Sequence, residues 1–270
     1  MKIGIIGAGN IANAIIGGCV KSGNFSGSDF WVFDVFSEKA EECREKYGSN
    51  LSKSANDLAS DADAVILAVK PKDFSALLAD IDTSLKNNDP LLISVAAGLS
   101  LSDVESFLSC KPRAARLMTN INALIGEAMT AYCLNERASD SDEKLADKIC
   151  GSIGAGIKLD EAYFPLFGVL AGCGPAFAYL FIEEFARAGV KIGINKQLSL
   201  KIAAQTVLGS AKLIIESGTH PCELIDNVCT PGGTTIEGIA ALKELGFDYA
   251  VIKAVESSLE KDRALSKPKE

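Results

Sequence analysis

Histidine is almost absent from this chain, and its cysteines follow no pairing pattern. The 270 residues include only His220, and none of the eight cysteines belongs to a Cys-x-x-Cys motif. Zinc sites and disulfide frameworks depend on such clusters, so neither class of protein is favoured. The cysteines are expected to be reduced, and most of them buried, as in a cytosolic protein. His220 lies in Gly218 to Pro221, between two predicted helices, where a structural role in the turn is expected.

The sequence also has no basic cluster, and its first residues do not predict a secretory leader. Its formal net charge is −8 and no Lys/Arg stripe is present, which disfavours nucleic acid and acidic membrane surfaces as partners. Residues 1–6 have the pattern of a strand rather than of a charged segment with an apolar run and a cleavage site, so no signal peptide is expected. We therefore expect a cytoplasmic globular protein without a metal site.

One uncharged stretch, Pro165 to Ile182, approaches the length that crosses a bilayer. Gly172-Cys173-Gly174-Pro175 is expected to interrupt it and to restart the helix, and Glu183 and Glu184 follow at once. These features favour helices buried in an α-domain or in a dimer interface over a membrane span.

What the sequence does contain is a dinucleotide-binding fingerprint at its beginning. Lys2 to Ile6 predicts a short buried strand, and Gly7-Ala8-Gly9-Asn10-Ile11-Ala12 leads from it into an apolar helical stretch. Gly7 permits the tight turn, Gly9 lets backbone amides approach a pyrophosphate, and Ala12 keeps the helix close to the sheet. The pattern predicts a bound dinucleotide, with an unliganded glycine-rich turn as the alternative.

Asp34 ends the second predicted strand, Phe30 to Phe33, where the side chain normally faces the adenosine ribose. A carboxylate there accepts hydrogen bonds from a free ribose 2′-hydroxyl and repels a 2′-phosphate, which favours NADH. Ser37, Lys39 and Arg44 follow on the next predicted helix and keep NADPH open as the cofactor. Capping of that helix is a further interpretation of Asp34.

Three more strands predicted in the first half end in small or polar residues. They are Asp63 to Val69, followed by Lys70-Pro71; Leu91 to Val95, followed by Ala96-Ala97-Gly98; and Arg113 to Met118, followed by Thr119-Asn120. Continuous apolar runs are typical of buried parallel strands, and loops at their carboxyl ends face the ligand crevice of a doubly wound sheet. Each loop alone is compatible with a simple turn, but together they predict one cofactor crevice.

The alternation of strands and helices stops near Asp160. Helical patterns replace it over Ala162 to Gly189, Lys196 to Ser217, and Thr234 to Leu265 with a turn at Gly246. The prediction is an α/β, doubly wound, Rossmann-like dinucleotide-binding domain over residues 1–160, followed by an all-α domain over residues 161–270. The tail from residue 266 onward is expected to be disordered.

The segment Thr230-Pro231-Gly232-Gly233-Thr234-Thr235 sets small residues directly before a helical pattern. Its proline fixes φ on entry, and its glycines leave the amides of Gly233, Thr234 and Thr235 uncovered near the positive end of the helix. The threonine hydroxyls add polar groups without charge. This arrangement predicts an anion cradle for a substrate carboxylate, and an ordinary capped helix start is the alternative.

Taken together, these motifs closely resemble the pyrroline-5-carboxylate reductase family. The matching segments cover essentially the whole chain: Ile6 to Ile11, Ala68-Val69-Lys70-Pro71, Val95-Ala96-Ala97-Gly98, Met118-Thr119-Asn120, Gly172 to Ala176, and Asp226 to Ile239. The resemblance implies NAD(P)H-dependent reduction of 1-pyrroline-5-carboxylate to L-proline, the last step of proline biosynthesis. It also implies an active site built across an interlocked helical homodimer, and dimers that can assemble further.

The chain departs from the family pattern at a few positions. Ile121-Asn122 replaces the usual Thr-Pro after the last predicted strand, and cysteine replaces the usual serine at Cys173 and the usual glycine at Cys222. Members that use NADPH often have a serine or a threonine-like residue where this chain has Asp34. The packing near the nicotinamide and the cofactor preference are the features that these departures affect.

The strand ends and the resemblance together predict which residues bind the cofactor, NADPH or NADH. They are Ile6, Gly7, Ala8, Gly9, Asn10, Ile11, Asp34, Ala68, Val69, Lys70, Pro71, Val95, Ala96, Ala97 and Asn120. The substrate is assigned to Thr230, Gly233, Thr234 and Thr235. In this hypothesis the amides of Gly233 and Thr234, with Thr230, hold the carboxylate, and the hydroxyl of the catalytic residue, Thr235, hydrogen-bonds the ring nitrogen. A cyclic imine is already electrophilic, so the chemistry needs positioning rather than a metal or a strong base.

Two other functions stay open on the sequence. A β-hydroxyacid dehydrogenase shares the architecture, but it needs a base for the alcohol proton and leaves the Thr-Pro-Gly-Gly-Thr-Thr segment without a purpose. A non-catalytic nucleotide sensor would use the fold to bind NAD(P) and a partner, and the intact threonines and glycines of both loops disfavour it.

Overall fold

The computed structural model describes residues 1–265, and the tail that the sequence predicts to be disordered lies outside them. The chain divides into two compact units, Met1–Gly172 and Cys173–Glu270. This division falls inside a long helical segment, whereas the boundary predicted at residue 160 follows the change in sequence pattern. The bounds of the two domains therefore stay a prediction.

The first unit is built on an eight-stranded sheet. Its strands are β1 (Ile3–Ile6), β2 (Phe30–Phe33), β3 (Asn50–Leu51), β4 (Ala64–Leu67), β5 (Leu91–Ser94), β6 (Arg113–Met118), β7 (Ala128–Leu134) and β8 (Gly154–Lys158). They lie in the order β3-β2-β1-β4-β5-β6-β7-β8, and the first six run parallel. β7 is antiparallel to β6, and β8 is parallel to β7.

The register places the ends of the central strands at one level. Ile6, the last residue of β1, pairs with Phe33 of β2 on one side and with Leu67 of β4 on the other. The chain leaves β1 towards β2 and later returns to add β4 on the opposite side, so the direction of strand addition reverses between β1 and β4. A ligand crevice opens at such a switch point, outside the carboxyl ends of the strands.

Helices cover both faces of this sheet. They are α1 (Asn10–Lys21), α2 (Ser37–Tyr47), α3 (Ala55–Asp61), α4 (Phe74–Asn88), α5 (Leu101–Ser106) and α6 (Asp140–Ser152). Successive strand residues enter different cores: Ile3 and Ile5 pack in the core that contains α1, and Ile6 packs in the core that contains α3 and α4. Burial on both faces explains why these strands are continuous apolar runs.

The remaining helices begin before the end of the first unit. They are α7 (Phe164–Phe167), α8 (Gly174–Lys191), α9 (Lys196–Ser217), α10 (Pro221–Val228), α11 (Thr234–Glu244) and α12 (Phe247–Leu265). The α/β first half and the helical second half confirm the predicted fold class. The expected interruption at Gly172 to Pro175 is wrong, because a wide π turn over Gly168–Cys173 carries the helix from α7 into α8. Pro175 is accommodated in the first turn of α8, where a missing N–H is tolerated.

The long helices have much apolar surface that the chain itself does not cover. Glu161–Lys191 and Lys196–Ser217 are long and apolar enough to cross a membrane by length and composition, with mean hydropathies of 1.7 and 1.4. In the apolar 18-residue stretch of each of these helical segments, only 11% is buried within the chain. Leu180, Leu208 and Ile215 are examples of large side chains that stay exposed. A surface of this kind indicates contact with another apolar surface.

The cysteines are less buried than expected. All eight are free thiols, and only Cys19, Cys43, Cys133 and Cys150 are buried. The expectation that most are buried is therefore wrong, largely because the helical segment leaves its own cysteines near the surface. Burial raises the pKa of the Cys19 and Cys150 thiols to about 12, so these two behave as inert core residues.

The structural role expected for the only histidine is confirmed. His220 is the N-cap of α10, and its Nδ1 accepts a hydrogen bond from the Cys222 amide at 3.2 Å. The imidazole thus helps to start a helix rather than standing in a cavity.

Candidate active site

The loop between β1 and α1 places its two glycines in different environments. Gly7 has φ +98°, and a Cβ at this position would lie 2.8 Å from both the carbonyl carbon and the oxygen of Ala68. The Gly7 amide donates to the Phe33 carbonyl at 2.8 Å. Gly9 has no atom within 4 Å of the position of a Cβ. Gly7 therefore fits the loop against the ends of β2 and β4, while Gly9 keeps the backbone accessible.

Two side chains hold this loop by hydrogen bonds to its backbone. Asp34 Oδ2 accepts a hydrogen bond from the Ala8 amide at 2.7 Å, and Asp34 Oδ1 accepts one from the Phe36 amide at 2.9 Å. Asn13 Nδ2 donates to the carbonyls of Ala8 and Gly9 at 3.0 and 3.1 Å. The role of Asn13 was not foreseen, although an amide side chain one turn into the helix is a visible signal. The alternative interpretation of Asp34, as the cap of α2, does not hold, since the N-cap of α2 is Phe36.

The N-terminus of α1 keeps its amides available. Gly9 is its N-cap, and no side chain caps the first turn. The first amides of a helix lack partners within the helix and lie at its positive end, which suits a phosphate group. The loop and the helix together therefore have the chemistry that a pyrophosphate requires.

A cleft of about 760 Å³ lies at the carboxyl ends of β1, β2 and β4. Among the residues assigned to the cofactor from the sequence, the structure brings Ile6, Gly7, Gly9, Asp34, Ala68, Val69 and Lys70 together in its wall. Ala8 lies in the loop after β1, Asn10 and Ile11 begin α1, and Pro71 follows Lys70 after β4. The wall also includes side chains that were not assigned to the cofactor: Phe33, Val35, Phe36, Lys39, Ser54, Ala55, Lys72, Asp73, Ala76, Leu77 and Asp80.

The other predicted cofactor residues are outside this wall, on neighbouring strands of the same edge. Val95, Ala96 and Ala97 follow β5, and Asn120 follows β6. The Asn120 side chain is buried and used locally: its Nδ2 donates to the Ala171 carbonyl at 2.9 Å, and its oxygen accepts from the Asn122 amide at 3.1 Å. Asn120 thus ties the end of β6 to the π turn.

The threonine loop in the helical unit forms a tight turn before α11. The Gly233 amide donates to the Thr230 carbonyl at 2.9 Å, and Gly232 between them has φ +66°. Proline followed by a glycine with positive φ is the pattern of a type II turn. A Cβ at Gly233 would collide with Thr230 Oγ1, so the turn requires glycine there.

The turn leaves the start of α11 uncapped. Gly233 is the N-cap, and no side chain bonds the first turn of the helix. The amides of Thr234 and Thr235 are therefore the donors available to an anion, because the Gly233 amide is already used in the turn. Thr230 and Thr234 are exposed and Thr235 is half-buried. In residues 1–265 no group of three or more His, Cys, Asp or Glu side chains is placed to hold a metal ion.

A doubly wound sheet with a glycine loop at its switch point and an acid at the end of β2 is the architecture of an NAD(P)-binding domain, the kind of domain found in NAD(P)-dependent oxidoreductases. In agreement, a family profile described as "NADP oxidoreductase coenzyme F420-dependent" matches residues 2–98. A second profile, described as "Pyrroline-5-carboxylate reductase dimerisation", matches residues 161–265.

Comparison with individual proteins gives the particular family. The pyrroline-5-carboxylate reductase of Escherichia coli K12 is 38% identical over 267 residues, which are 98% of each chain. The solved pyrroline-5-carboxylate reductase of Coxiella burnetii covers 99% of each chain with a TM-score of 0.93 and 28% identity. The Plasmodium falciparum enzyme, solved with NADP bound, covers 99% of this chain and 98% of its own at 30% identity, with a TM-score of 0.85. The chain belongs to the pyrroline-5-carboxylate reductase family.

Family membership also explains the uncovered helices. The helical half matches the dimerisation domain of this family, which supports homo-oligomerisation of this chain. The predicted resemblance, and the oxidoreductase class that it implied, are confirmed.

Proposed function

We propose that this protein reduces 1-pyrroline-5-carboxylate to L-proline with NADPH or NADH, the final step of proline biosynthesis. The observation that carries the proposal is the presence, in one chain of this family, of both an accessible glycine loop and the uncapped Thr230–Thr235 turn. One loop suits a dinucleotide and the other suits a small carboxylate. A nucleotide sensor would have no use for the second loop, and a hydroxyacid dehydrogenase would in addition need a base to take the alcohol proton.

The cofactor-binding part of the proposal is supported by the geometry of the cleft. The open space at Gly9 and the free first turn of α1 receive the pyrophosphate, and Ala68, Val69 and Lys70 form the wall at the end of β4. Val95, Ala96 and Ala97 extend the same edge beyond the cleft. Bound NAD(P)H supplies the hydride that is added to the imine carbon.

The substrate-binding part is assigned to the threonine loop. The amides of Thr234 and Thr235 hold the carboxylate, helped by the Thr230 hydroxyl, and Gly233 contributes by allowing the turn rather than by donating its amide. The Thr235 hydroxyl hydrogen-bonds the ring nitrogen and so fixes which face of the ring receives the hydride. A protonated imine already carries the proton that the product amine keeps, so Thr235 acts by orientation and no side chain has to serve as a strong acid.

The assembly that we propose is a homodimer formed through the helical half, with further association of dimers, in the cytoplasm. Exposed side chains such as Leu180, Leu208 and Ile215 supply the apolar surface that the dimer buries. Sedimentation velocity of the purified protein tests this point, because a monomer at micromolar concentration would contradict it.

The activity is tested by mixing the protein with 1-pyrroline-5-carboxylate and either NADH or NADPH, and following absorbance loss together with proline formation. Absence of turnover with both cofactors rejects the reductase. Oxidation of a hydroxyacid with NAD(P)⁺ would support the dehydrogenase instead, and cofactor binding without any turnover would support the sensor.

The role of Thr235 is tested with Thr235→Ala and Thr235→Ser. Loss of a hydrogen bond to a charged group costs about 1.5–3 kcal/mol, so Thr235→Ala should lower kcat/KM for the imine about 10-fold to 150-fold. Thr235→Ser keeps the hydroxyl and should retain most activity. Ser60→Ala is the control, because the Ser60 hydroxyl donates to the Asn56 carbonyl on the exposed side of α3 in the first unit. An unchanged kcat/KM in Thr235→Ala removes this residue from the mechanism.

A further inference from the structure

We infer that Asp34 makes this protein select NADH over NADPH, by holding a fixed negative charge where the adenosine ribose binds. The inference rests on the proposed function and concerns the same cleft. The fold itself does not decide the preference, since a relative in this family was solved with NADP bound. The decision must therefore come from the residues at the end of β2.

The side chains that follow β2 identify the adenosine end of the cleft. Val35 and Phe36 line it and are 81% and 54% exposed. Exposed apolar side chains of this kind suit contact with a purine ring. Asp34 lies directly before them and also lines the cleft, so a ribose joined to that purine would lie against its carboxylate.

The Asp34 carboxylate is held in place and cannot turn away at low cost. Its two oxygens accept backbone hydrogen bonds from different segments, Oδ2 from Ala8 at 2.7 Å and Oδ1 from Phe36 at 2.9 Å. Each carboxylate oxygen has two acceptor positions, so both remain able to accept a ribose hydroxyl. A 2′-phosphate in the same place would bring a second anion against a carboxylate that two amides fix, and the pair would repel.

The positive charges of the cleft do not cancel this effect. Lys39 is the lysine nearest in sequence, and its ammonium lies over the Phe36 ring at 4.8 Å from the centroid. It has a long, exposed side chain, whereas the carboxylate is fixed. Lys70 and Lys72 come from the loop after β4, on the other wall of the cleft. The fixed Asp34 carboxylate therefore faces the ribose, while the nearby Lys39 ammonium contacts the Phe36 ring.

The test is a binding titration with ADP-ribose and 2′-phospho-ADP-ribose, two compounds that differ only in the 2′-phosphate. We expect ADP-ribose to bind at least about tenfold more tightly at low salt, with the difference shrinking as salt is added. Equal binding, tighter binding of the 2′-phosphate compound, or binding of neither compound overturns the inference. Binding needs no turnover, so selective binding by a protein that does not reduce 1-pyrroline-5-carboxylate would reject the proposed function and leave this inference standing.

Three variants locate the effect. Asp34→Ser removes the charge and should cut the ratio of the two dissociation constants to about threefold or less, by improving binding of the 2′-phosphate compound. Asp34→Asn keeps the size of the side chain and one acceptor oxygen, and it provides the same test if the serine variant does not fold. Asp57→Asn, on the exposed side of α3, changes net charge equally and should leave the ratio unchanged. An unchanged ratio in both Asp34 variants contradicts the inference.

Discussion

Exchange of each glycine of the nucleotide loop for alanine should separate folding from cofactor binding. At Gly7, alanine meets two obstacles: φ is +98°, and its Cβ would lie 2.8 Å from the Ala68 carbonyl. The conformational cost is about 1–2 kcal/mol, and overlap with fixed atoms adds about 1–3 kcal/mol. The sum, about 2–5 kcal/mol, corresponds to a fall in Tm of roughly 5–15 °C for a domain of this size.

At Gly9, the same exchange should leave the fold intact. Its φ is −77°, which alanine adopts readily, and no atom lies within 4 Å of the new Cβ. The methyl group would instead stand in the space through which a pyrophosphate approaches the first amides of α1. Loss of one charge-assisted hydrogen bond is worth about 1.5–3 kcal/mol, so the KM for the cofactor should rise about tenfold or more.

Two measurements check this pair of variants: thermal unfolding without cofactor, and steady-state kinetics with the cofactor varied. Gly7→Ala should have a lower Tm than the wild type. Gly9→Ala should have an unchanged Tm and a lower affinity for the cofactor. A Gly9→Ala variant with an unchanged KM for both NADH and NADPH would refute the assignment of this loop to the pyrophosphate. A Gly7→Ala variant as stable as the wild type would refute the steric argument.

Two further predictions concern buried charges of the first unit. The Asp142 carboxylate is buried, and burial alone would raise its pKa, but hydrogen bonds from Ser139 and the Arg113 guanidinium together lower the pKa below its usual 3.8. Asp142→Asn should therefore cost about 1–3 kcal/mol of unfolding free energy above pH 4, measured by urea denaturation, and the difference should disappear as the pH falls below the lowered pKa. Glu161 accepts a hydrogen bond from the buried Arg116 at 2.8 Å, so Glu161→Gln should lower the unfolding free energy by about 1–3 kcal/mol, and an unchanged urea midpoint would contradict this.

The sequence predicted those elements whose residues are buried on two sides. β2 and β6 have the predicted bounds, and β1, β4 and β5 differ from prediction by one or two residues at their ends. The apolar runs of β1, β4 and β5 are buried on both faces of the sheet, whereas β6 contains Arg113 and Arg116 and was predicted because it repeats the arrangement of a strand followed by a polar tip. α9 and the start of α11 were also located correctly, since a polar cap or a glycine marks each beginning.

The elements that were missed have no such pattern. β3 has only two residues, and β8 is Gly-Ala-Gly-Ile-Lys at the edge of the sheet, largely exposed. β7 reads as an apolar run but belongs to the antiparallel end of the sheet, which βα alternation does not predict. An edge segment becomes a strand because it pairs with the neighbouring strand, and that pairing cannot be read from the local sequence.

In the candidate site, too, the sequence predicted some features and missed others. The motifs identified the glycine loop after β1 and the Thr230–Thr235 loop, because a cluster of glycines or threonines directly before a helix is uncommon unless the loop binds a ligand. They did not reveal that Asp34 bonds Ala8, that Asn13 holds the loop carbonyls, or that the Gly233 amide is used in its own turn. Hydrogen bonds of this kind depend on the distance between particular atoms, and residue type leaves several partners equally open.

The apolar helices of the second half have a further consequence for how this protein behaves on dilution. With only 11% of the apolar windows of Glu161–Lys191 and Lys196–Ser217 buried within one chain, much of the stability of these helices must come from association. Association is a second-order process, so the melting temperature should rise with protein concentration. The first unit has its buried cores within one chain, so dilution should destabilise the helical half and leave the first unit folded.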